Sequence, residues 1–137
     1  MSVIEGLIQT EDDGSISFGN YQLNEKSKLS DFEHDGDMYK VKTFREITRL
    51  ERNEMFVYES VPGTAVSHLT YADNGMSFTV EGAEDAQITV EGEPDAEYEI
   101  FFDGKLADRQ KTNLGGKLSF SVDLGKADQV KVKIAKK

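Results

Sequence analysis

Apolar and polar residues alternate most cleanly near the C-terminus. Leu118, Phe120, Val122 and Leu124 take turns with Lys117, Ser119, Ser121 and Asp123, and Val130, Val132 and Ile134 with Gln129, Lys131 and Lys133. A period of two sends each set to its own face, so both stretches predict strands with one buried face. The same period runs through Tyr98, Ile100 and Phe102, and through Ala86, Ile88 and Val90. It also runs through Leu69 and Tyr71, which Asp73-Asn74-Gly75 joins to Met76, Phe78 and Val80. Asn-Gly is a strong short-hairpin signal, because the tight turn needs positive φ at both central positions. Asp103-Gly104 turns the chain into a polar strand, Lys105–Thr112, and Asn113-Leu114-Gly115-Gly116 turns it again. The phrase Thr79-Val80-Glu81-Gly82 returns ten residues later as Thr89-Val90-Glu91-Gly92. A strand, a turn and the start of the next strand take about ten residues, so the repeat predicts an antiparallel meander.

The first half is less regular. Val3, Ile4, Leu7 and Ile8 form an apolar run that fits a helical turn or a strand. Ile16 and Phe18, then Tyr21 and Leu23, predict two short strands around Gly19-Asn20, and residues 24–37 read as a polar connection pinned by Leu29 and Phe32. Met38, Lys40 and Lys42 alternate with Tyr39, Val41 and Thr43, a half-buried strand. Residues 43–54 admit two readings. Thr43-x-x-Glu46 with Phe44, Ile47 and Leu50 fits a short capped helix. Ile47–Glu51 and Met55–Tyr58 around Arg52-Asn53-Glu54 fit a hairpin. Val61-Pro62-Gly63-Thr64 is the clearest boundary, because Pro and Gly punctuate the chain.

These elements predict a mainly β fold. A smaller β-rich unit spans residues 1–64, and an antiparallel β-sandwich of immunoglobulin-like or fibronectin-III-like type spans 65–137. Short strands with one apolar face each need a second sheet to cover it. At 137 residues, with eight Phe and five Tyr, the chain is long enough for a real core.

Charge narrows the partners. The net charge is −10. Nucleic acid and anionic membranes are therefore not expected, since both require a basic face. Lys40, Lys42, Arg45, Arg49 and Arg52 form a local basic stretch, interrupted by Glu46, Glu51 and Glu54, which reads as a solvated face or an anion site. The chain has no cysteine, which excludes disulfides and thiolate chemistry. The N-terminus lacks a basic region and a long apolar segment, so a cytoplasmic location is expected.

Candidate chemistry is sparse. Asp31, Glu33, Asp35 and Asp37, with Gly36 among them, resemble a calcium loop, but Lys42 stands where its bidentate Glu belongs. The other reading is a solvated acidic turn. The acidic run from Glu81 to Glu99 has no basic residue and reads as solubilising turns, or as stacked carboxylates that share a cation. His34 and His68 lack zinc-site spacing, and no nucleophile elbow, phosphate loop or dinucleotide fingerprint occurs. Tyr39, Tyr58 and Tyr71 are candidates for stacking on a sugar.

Three segments carry a family resemblance. They are Gly19-Asn20-Tyr21-x-Leu23 through Leu29-Ser30-Asp31-Phe32-Glu33, then Tyr39-Lys40-Val41-Lys42-Thr43-Phe44, then Met55 through Val66. Over nearly its whole length the chain resembles a small family of uncharacterised proteins from anaerobic Gram-positive bacteria, some of them labelled endosialidase. The label implies a β-rich accessory segment, and no residue role is carried over. With no catalytic constellation and no cofactor motif, the expected function is a non-catalytic binding or assembly module. It would act through a protein partner or self-association. The alternative is a glycan-binding or glycan-processing accessory domain.

Overall fold

Two-residue turns keep the next strand in the same sheet. A computed structural model describes residues 3–72, 74–125 and 129–137. Its strands are β1 (Ile8–Thr10), β2 (Ile16–Phe18), β3 (Ser27–His34), β4 (Asp37–Phe44), β5 (Ile47–Arg52), β6 (Met55–Val61) and β7 (Ala65–Ala72). They continue with β8 (Gly75–Glu81), β9 (Ala86–Glu91), β10 (Glu97–Phe102), β11 (Lys105–Lys111), β12 (Lys117–Val122) and β13 (Val130–Lys136). Two-residue connections, as at Asp35-Gly36, Asn53-Glu54 and Asp103-Gly104, make hairpins within a sheet. The connections 82–85, 92–96 and 112–116 carry the chain to the opposite sheet, whereas 11–15 returns it beside β1 in the same sheet.

The result is a mainly β sandwich of two antiparallel sheets. One has seven strands in the order β1-β2-β7-β8-β13-β10-β11, the other six in the order β12-β9-β6-β5-β4-β3. Both sheets draw strands from either side of Pro62, and one hydrophobic cluster runs from Ile8 to Ile134. The edges of the sheets meet on both sides. Gln110 Nε2 donates to the Ser119 carbonyl at 2.6 Å, and Thr10 Oγ1 lies 3.0 Å from His34 Nδ1.

Several expectations are corrected. The ten-residue repeat is not a meander, because β8, β9 and β10 lie in alternating sheets. The repeat counts a strand plus a connection, and that count does not distinguish a hairpin from a sheet crossing. Residues 24–37 are no loop: 27–34 form edge strand β3, paired with β4 along its length. Tyr21 and Leu23 lie outside any strand, in the connection from β2 to β3. Residues 43–54 adopt the hairpin, not the helix. In the expected Asp73-Asn74-Gly75 turn, Asp73 lies outside the described residues.

The core crosses between sheets at Tyr58. Its ring is 1 % exposed and meets Phe18 and Phe78 edge-on, with centroids 5.3 and 5.6 Å away. Its hydroxyl and Thr64 Oγ1 are 2.8 Å apart, and Thr64 Oγ1 is also 2.8 Å from Ser60 Oγ. Aromatic pairs in this geometry add about 0.5–1.5 kcal/mol beyond the area they bury.

Glu81 departs from the expectation of solvated acidic turns, being 5 % exposed at the end of β8. Its Oε2 accepts the Tyr21 hydroxyl at 3.0 Å, and its Oε1 has no partner among the described residues. Burial first, then this hydrogen bond and the nearby carboxylate charge, push the Tyr21 phenol up to about 12. An unfolded chain releases that proton near pH 10, so between 10 and 12 the folded state holds more protons. Stability is therefore fully present below pH 10 and falls as pH rises toward 12. Ultraviolet phenolate titration with thermal melts checks this: Tyr21→Phe removes the component near 12 and flattens the alkaline loss of stability.

Candidate functional site

Arg52 is the residue that breaks the strand pattern. In β5, Thr48 and Leu50 face the core, while Arg49 and Glu51 face outward. Arg52 continues the inward phase and stands in register with the buried Tyr39. An inward arginine is tolerated here because the strand ends where the two sheets part. A cleft of about 390 Å³ opens at that point. Arg52, Met55, Val57 and Leu118 line it from the six-stranded sheet, and Tyr71, Met76, Tyr98 and Ile134 from the other.

The guanidinium lies over the Tyr71 ring, 4.5 Å from its centroid. The Tyr39 hydroxyl and the charge of Asp37 also act on it. Withdrawal of its hydroxyl from water, then the neighbouring Tyr39, pushes the Tyr71 phenol above its ordinary value, although the residue is 38 % exposed overall. The cleft also holds two carboxylates, Glu91 and Glu93. Each has its own lysine: Lys117 lies 3.2 Å from Glu91, and Lys136 lies 2.9 Å from Glu93. Among the described residues, Arg52 has no carboxylate at ion-pair distance. It is the one charge of the cleft's lining without an ion pair of its own among the described residues, and a half-buried charge is costly without a close counter-charge.

Hydrogen bonds fix the rim. The Tyr98 hydroxyl accepts from the Glu93 amide at 2.8 Å. Thr112 Oγ1 donates to the Glu93 carbonyl at 2.6 Å and accepts from the Ala96 amide at 2.9 Å. Gly92 packs its Cα against the Tyr98 ring, where a Cβ would come within 3.1 Å. Large apolar side chains are exposed at the same end of the sandwich: Met38, Met55 (70 % exposed) and Leu114, with Tyr71 between the sheets.

The sequence candidates fall elsewhere or change role. Tyr39 and Tyr58 are 2 % and 1 % exposed, so neither offers a ring face to a sugar. Tyr71 is accessible, and Arg52 covers one face of its ring. Asp31, Glu33, Asp35 and Asp37 do not converge. Asp31 sits in a bulge of β3 with φ 60°, Glu33 lies farther along that strand, and Asp35 opens the β3–β4 turn. Asp37 accepts from Asn53 Nδ2 at 2.8 Å. Along a strand, residues on one face stand about 7 Å apart, which is too far to wrap a small ion. Among the described residues, no group of three or more His, Asp and Glu side chains is placed to hold a metal ion.

His34 meets Thr10 and the edge of Tyr39, whose ring centroid is 6.0 Å away. His68, Asp13 and Ser15 do cluster. Ser15 Oγ and Asp13 Oδ2 both approach the same ring nitrogen, His68 Nδ1, at 3.1 and 3.2 Å, and Ser15 Oγ donates directly to Asp13. A nucleophile relay needs the imidazole between hydroxyl and carboxylate, one on each nitrogen, so this cluster is a turn clasp. The basic stretch is dispersed: Lys40, Lys42 and Arg49 share the outer sheet face, Arg45 sits in the β4–β5 turn, and Arg52 enters the cleft.

The chain matches no protein-family model, no curated protein and no solved structure. Among the described residues, no helix is long and apolar enough to cross a membrane. Sequence reasoning missed the cleft. The available signal was Arg52 two residues after Leu50 in a strand whose even positions face inward.

Proposed function

We propose that this chain is a non-catalytic binding module whose cleft at one end of the sandwich takes a segment of a protein partner. The supporting observation is the inward, half-buried Arg52, without a carboxylate of its own, above an apolar floor. An anionic group on the partner supplies the missing counter-charge, and an adjacent apolar side chain fills the space beside Met55, Met76 and Leu118. Arg, Tyr and Met are the residue types enriched at protein interfaces. The sheet scaffold and the bonded rim hold the cleft open in advance, which lowers the ordering cost of binding. Immunoglobulin-like sandwiches display binding loops at one end in the same manner, and that kinship belongs to this proposal as an analogy of fold. The glycan reading is weaker, because two of its three tyrosines are buried and the third is covered on one face by Arg52.

Isothermal titration with acetylated peptides ending in Leu or Phe tests the reading. A free terminal carboxylate is compared with the amide of the same peptide, and N-acetylneuraminic acid is the glycan arm. The carboxylate peptides are expected to bind at least about tenfold more tightly than the amides, a difference of about 1.4 kcal/mol. Arg52→Gln is expected to abolish that preference while the fold persists. Binding of the sugar with no peptide binding would replace the proposal by the glycan reading.

A further inference from the structure

The outer face of the six-stranded sheet carries a second exception to ordinary patterning. The register sets Lys28 opposite Lys42, and Lys42 opposite Arg49, so three cations form one row across β3, β4 and β5. Lys40 follows on the same face of β4. Like charges directly opposite one another destabilise a sheet. Arg49 is compensated by Glu51 at 3.2 Å and Glu59 at 2.9 Å. Among the described residues, Lys28, Lys40 and Lys42 have no carboxylate at ion-pair distance. Glu51 stands opposite Lys40 in register, without reaching it at ion-pair distance, whereas Lys28 and Lys42 stand opposite cations alone. Guarding a sheet edge accounts for a lysine on β3, the edge strand, but not for two on β4, which is paired on both sides. These side chains, with Arg49 and Glu51, surround a hollow of about 160 Å³.

We infer that this hollow is a binding site for a multiply charged oxyanion of the phosphate type. Lys28, Lys40 and Lys42 are its ligands, and Arg49 is a positioning residue held by its two glutamates. Three ammonium groups suit a compact oxyanion, each offering rotatable donors. The overall negative charge does not prevent this, because at physiological ionic strength charges beyond about 8 Å are screened and the local patch dominates. This site is independent of the cleft.

The test is thermal unfolding in low-salt buffer with inorganic tripolyphosphate, against sodium chloride at matched ionic strength. The wild type is expected to show a saturable rise in Tm with tripolyphosphate. The unfolding equilibrium constant should fall about a hundredfold at a hundredfold excess over Kd. The K28Q/K42Q variant is expected to lose that rise while being no less stable than wild type without anion, because it removes the like-charge row. K40Q should weaken the response without removing it. A phosphoserine peptide with neutral flanks forms a second arm, and the tighter of the two ligands names free or protein-borne phosphate as the source. An equal response in wild type and K28Q/K42Q, or no saturable response in wild type, overturns the inference.

Discussion

Tyr58→Ala is expected to remove about 3–5 kcal/mol of stability, as large aromatic truncations in cores do. The ring is the contact through which β6 of one sheet meets Phe18 on β2 and Phe78 on β8 of the other. Removing it leaves a cavity in a region where neither sheet can close without shifting against its partner. The loss also strips one bond from Thr64 Oγ1, which keeps Ser60. Tyr58→Phe separates the two contributions. It retains the ring and loses only the hydroxyl, for an expected cost of about 0.5–1.5 kcal/mol. Urea unfolding at unchanged m-value checks both. Domains of this size are stable by about 5–15 kcal/mol in total, so the alanine variant approaches the limit of folding.

Gly75→Ala is the second large effect, expected to exceed about 3 kcal/mol, the upper part of the range for overpacked sites. A Cβ at Gly75 would stand 1.8 Å from the Ile134 carbonyl oxygen and 2.8 Å from its carbon. Both are backbone atoms of β13, to which β8 is paired, so relief requires the two strands to separate. The φ of +156° adds strain for any L side chain. Gly104→Ala is the control. It shares a positive φ, at +86°, but a Cβ there meets nothing within 4 Å. Its expected cost is only the conformational penalty of about 1–2 kcal/mol. Comparable losses at the two positions would show that conformation, not the close approach of β13, governs Gly75.

The parts of the fold that were legible in sequence are those where both faces of a strand have distinct environments. β12 and β13 alternate without a break because each covers the core on one side and meets water on the other. β3 was illegible for the opposite reason. It is an edge strand, most of its residues are exposed, and its extended form comes from pairing with β4. Tyr21 and Leu23 misled because apolar residues two apart also occur in a connection; Tyr21 there bonds to Glu81 instead of entering a sheet. The repeated Thr-Val-Glu-Gly phrase reported strand length correctly. It concealed that one glutamate, Glu81, is buried, whereas the other, Glu91, pairs with Lys117 at the surface.

The candidate site was illegible because it depends on contacts between hairpins. Arg52 and Tyr71 are brought together by the stacking of two sheets, and nothing in their spacing announces it. The lysine row is similar. Lys40 and Lys42 are visible as alternate residues, but Lys28 joins them only through the register of β3, a strand the sequence did not reveal.

The most direct test of the account is a map of backbone amide shifts in ¹⁵N-labelled protein, titrated with the carboxylate-ended and amide-ended peptides. Saturable changes concentrated at Arg52, Met55, Tyr71 and Gly92 are expected for the carboxylate peptides, as is their loss in Arg52→Gln. Changes confined to other surfaces, or an unchanged map in wild type and variant alike, would contradict the assignment of the cleft as the binding site.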